Sequence, residues 1–198
     1  KLENVEVSES LRWDVQLVDV PKGVRGGWNN EFIVAPRIDD RICLFAAYKS
    51  LIEVDDHALL SSKQLSVVGL FDNEEIGSAT RQGIKGGLIE LVVSRVISAR
   101  NADLPNTQIQ EQIRLAYSNT IIFSADVNHL VNPNFTNVYL EHHKPKPNKG
   151  ITIALDPNGN MATDGVGLAL VQELARKNDD NLQYFQIRND SRSGGTIG

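Results

Sequence analysis

An apolar run that ends in acidic residues, Leu65-Ser-Val-Val-Gly-Leu-Phe71-Asp-Asn-Glu74-Glu75-Ile-Gly-Ser78, is the most informative segment of the chain. Its first seven residues are rich in β-forming side chains and end in a polar turn, which is typical of a buried strand. The acids follow directly, at the expected carboxyl end of that strand. In open α/β sheets, ligands bind in the crevice beyond the carboxyl ends of parallel strands. The segment therefore predicts both a fold class and the position of a site.

The order of strand, polar turn and helix recurs along the chain. At 198 residues the chain is long enough for one sizeable domain, so one real core is expected. Apolar strands that alternate with helices predict an α/β domain with a mainly parallel sheet and helices on both faces. The helix at Thr107 is expected to open with a capping box formed with Gln110. The predicted strands are Trp13–Val20, Phe32–Ala35, Leu65–Phe71, Thr120–Ala125, Ile151–Leu155 and Leu182–Arg188, and the predicted helices follow Pro36 as far as Ile52 and cover Gly83–Arg100, Thr107–Asn119 and Asp164–Lys177.

Composition excludes several classes of protein. The net charge of -5 is spread along the chain, which argues against a nucleic-acid surface of clustered Lys and Arg. No apolar run reaches the length of a membrane span, so no membrane partner is expected. Cys43 is the only cysteine, which excludes an intrachain disulfide and suits a reducing compartment. A cytoplasmic location is favoured on that basis, and a vacuolar one stays open.

Acidic residues follow most of the predicted strands, and their convergence on one rim of the sheet would need a counterion. Any one of these acids could instead cap a helix, since carboxylates accept hydrogen bonds from free N–H groups there. The adjacent pair Glu74 and Glu75 is hardest to explain in this way, because one cap suffices. Carboxylates suit zinc, manganese or cobalt, and two such ions with a shared carboxylate form a common hydrolytic site. The acids concerned are Asp39, Asp40, Asp72, Glu74, Glu75, Asp126 and Asp190.

At these positions the sequence resembles the M18 family of metallopeptidases, the group of aspartyl aminopeptidase and vacuolar aminopeptidase I. The matching stretches occur in family order and cover most of the chain from about Gly26 onward. They are Glu31-Phe-Ile-Val-Ala-Pro-Arg-Ile-Asp39-Asp40, Phe71-Asp-Asn-Glu74-Glu75-Ile-Gly-Ser78, Phe123-Ser-Ala-Asp126-Val-Asn-His129, Asn148-Lys149-Gly150 and Arg188-Asn-Asp190-Ser-Arg-Ser-Gly194-Gly195-Thr196-Ile-Gly198.

The resemblance implies roles for four acids. Asp39 would bridge two divalent metal ions, zinc by preference with manganese or cobalt as options. Glu75 would bind one ion and Asp126 the other, while Glu74 would be the general base for a metal-activated water. The implied reaction is hydrolysis of the first peptide bond of substrates with an unblocked amino terminus.

The same resemblance implies a substrate pocket. His129 and Lys149 match positions that line it, and a lysine there could pair with an acidic first side chain. Gly194, Gly195 and Thr196 would line the cleft with backbone groups. A preference for N-terminal Asp or Glu is therefore expected.

The chain also departs from the family pattern. The family site has two further ligands, both histidines, one in a His-x-Asp motif upstream and one beyond the Gly-Thr-Ile-Gly stretch, and neither is present here. The interpretation is that these residues are the central part of a longer polypeptide. Residues 1–25 would then be the end of an oligomerisation domain or a linker, and residues 26–198 part of the catalytic domain. The family forms large homo-oligomers, dodecamers in particular, so self-association is expected.

Two other functions stay open at this point. The chain could be a degenerate relative or a fragment that acts only in oligomerisation or cargo binding, although such a relative would be free to lose Asp39, Glu74 or Asp126. A nucleotide-binding domain is suggested by Gly165 and Gly167 ahead of a helix, but these two glycines lack the full fingerprint.

Overall fold

The structure is a computed structural model, and it describes residues 13, 15–159, 161 and 163–192. The chain divides into two compact units, with the boundary between Arg41 and Ile42. The predicted division after residue 25 separates an oligomerisation domain or linker from the catalytic domain, and it stays a prediction.

The first unit contains a short antiparallel sheet. Strand β1, Val24–Gly26, pairs with strand β2, Phe32–Val34, and Val24 lies opposite Val34. The turn between them places two residues, Gly27 and Asn30, at positive φ, which glycine and asparagine adopt at low cost. The prediction of a strand at Phe32–Ala35 is confirmed to within one residue. Strand β1 was not predicted, because its glycine-rich surroundings indicate a linker.

Five α-helices lie within the described residues, and the sequence predicted four of them. The missed helix, Asp56–Ser61, is preceded by the cap residue Asp55, whose side chain accepts a hydrogen bond from the Ala58 amide. The capping box at Thr107 is wrong: that helix begins at Asn106 and its N-terminal cap is Pro105. None of the described helices is long and apolar enough to cross a membrane. The helices are α1, Ile38–Ile52; α2, Asp56–Ser61; α3, Leu88–Arg100; α4, Asn106–Ser118; and α5, Gly165–Asn178.

The second unit contains a parallel strand pair. Strand β3, Ile151–Ala154, runs parallel to β4, Leu182–Phe185, with Ile153 opposite Tyr184. Helix α5 connects the two strands, as expected for a β-α-β crossover. Beyond β4 the chain pairs in the opposite direction with residues 138–140 through a bridge between Tyr139 and Ile187. Both predicted strands are confirmed here, although β4 ends three residues earlier than Arg188.

Three predicted strands are absent from the part of the chain that the structure describes. Residues 65–71 and 120–125 form no strand, and neither do the described residues of the segment 13–20. The reason is that a strand exists only where a neighbour supplies N–H and C=O groups, and composition cannot show whether a neighbour is present. The described residues therefore form a mixed α/β chain with one antiparallel and one parallel two-stranded sheet.

The buried core is smaller than the chain length predicts. Among the described residues, the buried apolar side chains are those of Tyr139, Pro145, Ile153, Ala175 and Phe185, all in the second unit. They come from β3, β4, α5, the segment that pairs with β4 and the loop that precedes β3. Many other large apolar side chains stay exposed, because an apolar face is buried only when another element covers it. The core therefore lies around β4, and the segments that carry His129 and Lys149 contact this strand.

Candidate metal and substrate site

Asp39 and Asp40 lie at the start of α1, just after β2. The backbone angles of both residues are non-helical, so regular helical geometry begins only after them, and the peptide bond that joins them is cis. Asp39 is exposed and Asp40 is half-buried. The sequence predicted acids at this place in the fold, beyond the end of a short strand.

Glu74 and Glu75 lie in a loop that closes on itself, residues 72–86, which we call the acidic loop. The amide of Gly77 donates to the Asn73 carbonyl at 2.8 Å, and the amide of Asp72 donates to the Gln82 carbonyl at 3.3 Å. Glu74 is half-buried and Glu75 is exposed. The predicted base and the predicted ligand are thus neighbours on a turn with different solvent access.

The carboxyl-terminal half of the acidic loop packs closely on Ser78, which is buried. The Lys85 amide donates to the Ser78 carbonyl at 2.9 Å. At Gly83, a Cβ atom would lie 2.3 Å from that same carbonyl oxygen, so no larger residue fits without a backbone shift. The loop is therefore held by short-range contacts between its own residues.

Asp126 lies in an irregular segment of the second unit rather than at the end of a strand. Its Oδ1 accepts a hydrogen bond from the Val127 amide at 2.7 Å, and its side chain is exposed. This hydrogen bond between adjacent residues orients the carboxylate, although the segment is neither helix nor strand. The roles of Asp39, Glu75 and Asp126 as ligands and of Glu74 as base stay predictions.

His129 lies against the core of the second unit. Its ring centroid is 6.2 Å from that of Phe185, and the Phe185 ring in turn makes an edge-to-face contact with Tyr139. The Tyr139 hydroxyl donates to the Leu130 carbonyl at 3.0 Å. Because Tyr139 and Phe185 are both buried, they fix the backbone beside His129 while the imidazole stays exposed.

Lys149 lies in an irregular segment, residues 142–150, which we call the basic loop. The loop has one buried anchor, Pro145, whose carbonyl accepts from the Val131 amide at 2.8 Å. His143 adds a ring contact with Tyr184, with centroids 5.9 Å apart. Residues 146–150 are exposed, and Lys149 is among them.

Gln183, on β4, is a residue that sequence reasoning missed. Its Oε1 accepts from the Lys146 amide at 2.8 Å, and its Nε2 donates to the carbonyls of Lys146 at 3.0 Å and Gly150 at 3.2 Å. A glutamine in a strand carries no sequence signal of such contacts. Gln183 and Phe185 are two residues apart, so they share one face of β4. That face of β4 therefore contacts both the turn that carries Lys149, through Gln183, and the ring of His129, through Phe185.

Arg188 and Asp190 form an exposed ion pair just beyond β4. The guanidinium donates to both carboxylate oxygens, from Nε at 3.0 Å and from Nη2 at 2.9 Å. These hydrogen bonds lower the pKa of Asp190 and raise that of Arg188. The pair lines a solvent-open cavity of about 450 Å³ together with Leu140, Gln186 and Asn189. The predicted pocket residues Gly194, Gly195 and Thr196 lie outside the described residues.

Comparison with known proteins agrees with the motifs. The family described as aminopeptidase I zinc metalloprotease (M18) matches residues 1–198. Vacuolar aminopeptidase 1 of Saccharomyces cerevisiae is 57% identical over 100% of this chain and 38% of its own length. Aspartyl aminopeptidase of Aspergillus oryzae is 34% identical over 98% of this chain and 41% of its own length.

A solved structure described as the S. cerevisiae mApe1 dodecamer matches with a TM-score of 0.67 and 47% identity, over 91% of this chain and 39% of that chain. The chain thus spans about two fifths of the length of the relatives it matches. A match over every residue, with the acids of each motif in place, shows that the chain belongs to the aminopeptidase I zinc metalloprotease (M18) family.

Proposed function

We propose that the intact protein is a metal-dependent aminopeptidase that removes unblocked N-terminal residues from peptides. The observation that carries this proposal is the family match over the whole chain together with the four acids at the motif positions, Asp39, Glu74, Glu75 and Asp126. A relative that had lost catalysis would be free to lose any of them.

The proposed catalytic domain has a mainly parallel sheet with helices on both faces. The pair of β3 and β4, joined through α5, supports this architecture because it is one complete parallel β-α-β unit. Residues 1–25 are proposed to end an oligomerisation domain or to form a linker, and residues 26–198 to belong to the catalytic domain.

The acids fit a pair of divalent metal ions by the chemistry of their side chains. Carboxylate oxygens are accepted ligands of zinc, manganese and cobalt, and the family description specifies zinc. Asp39 and Asp126 are exposed, as is Glu75, so all three carboxylates are accessible to an ion. Asp39 would bridge the two ions, Glu75 would hold one and Asp126 the other. When bound, such ions lower the pKa of water to about 7 and polarise the scissile carbonyl.

Glu74 is proposed to act on protons rather than on a metal. Its carboxylate takes a proton from the attacking water, then delivers it to the nitrogen of the leaving amine. Its position beside the proposed ligand Glu75 on the acidic loop supports this role, because a general base has to lie within hydrogen-bond reach of the metal-activated water. The products are a free amino acid and a peptide that is one residue shorter.

The proposed substrate preference is for N-terminal Asp or Glu. Lys149 would pair with the acidic side chain and His129 would line the same pocket, while backbone groups of Gly194, Gly195 and Thr196 would line the cleft. The name of the A. oryzae relative, an aspartyl aminopeptidase, supports this preference. The dodecameric assembly named for the S. cerevisiae structure supports a homo-oligomer, and we propose a dodecamer.

The test is Glu74→Gln in the intact protein. Loss of the base should lower kcat by roughly 10²- to 10⁴-fold, while the zinc content per subunit stays unchanged, because a base and not a ligand has been removed. Glu90→Gln, an exposed acid in the first turn of α3, is the matched control and should retain full activity. Glu75→Gln should instead lower the zinc content. Turnover by Glu74→Gln at the wild-type rate would overturn the proposal.

A further inference from the structure

The side chain of Gln183 connects β4 to both ends of the turn that carries Lys149. Its carbonyl oxygen accepts from the Lys146 amide, and its amide nitrogen donates to the carbonyls of Lys146 and Gly150. These contacts join residues 33 and 37 positions apart in sequence. One short stretch of backbone therefore supplies the hydrogen-bond partners of the half-buried carboxamide, because a polar group removed from water needs such partners.

The backbone on either side of Lys149 is restricted as well. Asn148 has a φ of 55° and Gly150 a φ of 114°. At Gly150 a Cβ atom would lie 2.1 Å from the Asn181 carbonyl oxygen, which also accepts from the Ile151 amide at 3.0 Å. The loop thus meets the chain at two neighbouring points, the backbone of Asn181 just before β4 and the side chain of Gln183 within it.

The side chain of Lys149 itself is exposed, and a lysine carries its charge on a flexible four-carbon stem. Its recognition of a carboxylate depends on where the backbone places that stem, since small displacements of a charged group lower the rate steeply. The placement comes from β4, whose next residue on the same face, Phe185, supports His129.

From this geometry we infer that Gln183 is a positioning residue for substrate selection. It holds the turn of residues 146–150 so that the Lys149 ammonium meets the side-chain carboxylate of an acidic N-terminal residue. The inference rests on the proposed function, because it assumes that Lys149 recognises the substrate. Gln183 itself does not touch the substrate in this scheme.

The experiment uses the intact protein and compares kcat/KM for matched peptides that begin with Asp or with Leu. Gln183→Met keeps the length of the side chain and removes all three hydrogen bonds. The Asp-to-Leu ratio should fall by roughly tenfold, mainly through a lower kcat/KM for the Asp peptide. Lys149→Met should lower the same ratio at least as much, and the double variant should show no further loss.

Gln172→Met is the matched control. Gln172 donates from Nε2 to the Tyr184 hydroxyl at 2.7 Å, so this variant removes a hydrogen bond to the same strand and leaves the three hydrogen bonds of Gln183 in place. It should leave the Asp-to-Leu ratio unchanged. Gln183→Glu serves if Gln183→Met does not fold, because it keeps the oxygen that accepts from Lys146 and loses the donor to Lys146 and Gly150. It too should lower the ratio.

Amide hydrogen exchange gives a second readout that does not depend on activity. Both Gln183 variants should exchange faster at Lys146 and in the following residues, whereas Gln172→Met should not. An unchanged ratio in the Gln183 variants, while Lys149→Met lowers it, would overturn the positioning role and leave the proposed function intact. An unchanged ratio in Lys149→Met would overturn the proposed acidic preference, and the inference would fail with it.

Discussion

The acidic loop and the basic loop are held in place in opposite ways. The acidic loop, residues 72–86, closes through hydrogen bonds among its own residues, such as Gly77 to Asn73 and Lys85 to Ser78. The basic loop, residues 142–150, is held by Gln183 on β4 and by Asn181 just before that strand. The two loops carry the predicted base and the predicted specificity residue, respectively.

This difference separates catalysis, which the acidic loop is proposed to serve, from substrate selection, which the basic loop is proposed to serve. A loop that closes on itself can keep Glu74 and Glu75 in a fixed relation whatever happens elsewhere. A loop that depends on β4 loses its geometry when the strand is disturbed, because its contacts join residues more than thirty positions apart. Changes in the β4 region should therefore alter the basic loop and spare the acidic one.

The largest effect is expected from Gly150→Ala in the intact protein. The new Cβ combines a φ that alanine rarely adopts with a clash against the Asn181 carbonyl, so the free energy of unfolding should fall by about 3 kcal/mol. The measurement is denaturant unfolding combined with hydrogen exchange. Exchange should rise at residues 181–183 as well as in the basic loop.

The control is Gly159→Ala, at a φ of 77° with no atom within 4 Å of the new Cβ. It should cost about 1 kcal/mol, from backbone strain alone. Equal losses in the two variants would mean that the contact of the basic loop with Asn181 contributes little, and the comparison would break down.

A smaller effect is expected from Gly83→Ala in the acidic loop. Its new Cβ meets the Ser78 carbonyl at 2.3 Å without a positive φ, so the loss in unfolding free energy should be about 2 kcal/mol. Faster hydrogen exchange should be confined to residues 72–86. Spread of the effect to β3 or β4 would contradict the local closure of this loop.

Gly165→Ala is the control for Gly83→Ala. It lies in the first turn of α5 with no atom within 4 Å of the new Cβ, so alanine should be neutral or stabilising by about 0.5 kcal/mol.

The smallest effect is expected from Asp190→Asn, which removes an exposed ion pair between near neighbours in sequence. Hydrogen bonds from Arg188 lower the pKa of Asp190 in the folded protein. A lowered pKa stabilises the fold above the ordinary carboxyl value, and this contribution disappears as pH falls through the lowered value. The variant should therefore be slightly less stable than wild type at neutral pH, and the difference should disappear as the pH falls through the lowered pKa of Asp190. A difference that grows on acidification would reverse this assignment.

Sequence reasoning succeeded where the structural cause is local. Helices α1, α3, α4 and α5 were each predicted from their own segment of sequence, and the Asp164 cap of α5 lies where the sequence placed the start of that helix. It failed at residues 65–71 and 120–125, whose strand-like composition is real but whose pairing depends on neighbours. It also missed Gln183, because no pattern in β4 shows which loop its carboxamide meets.

The amino-acid sequence alone established the family, the candidate acids and the candidate lysine, because these follow from short contiguous motifs that can be identified without a structure. The size of the core, the support of His129 by Phe185 and the attachment of Lys149 to β4 became known from the folded chain. Such contacts join residues far apart in sequence, and their geometry arises only when β4 pairs with β3 and the basic loop closes over it. Motifs therefore identify the chemistry, while packing around β4 determines the positions of His129 and Lys149, the proposed substrate-binding residues.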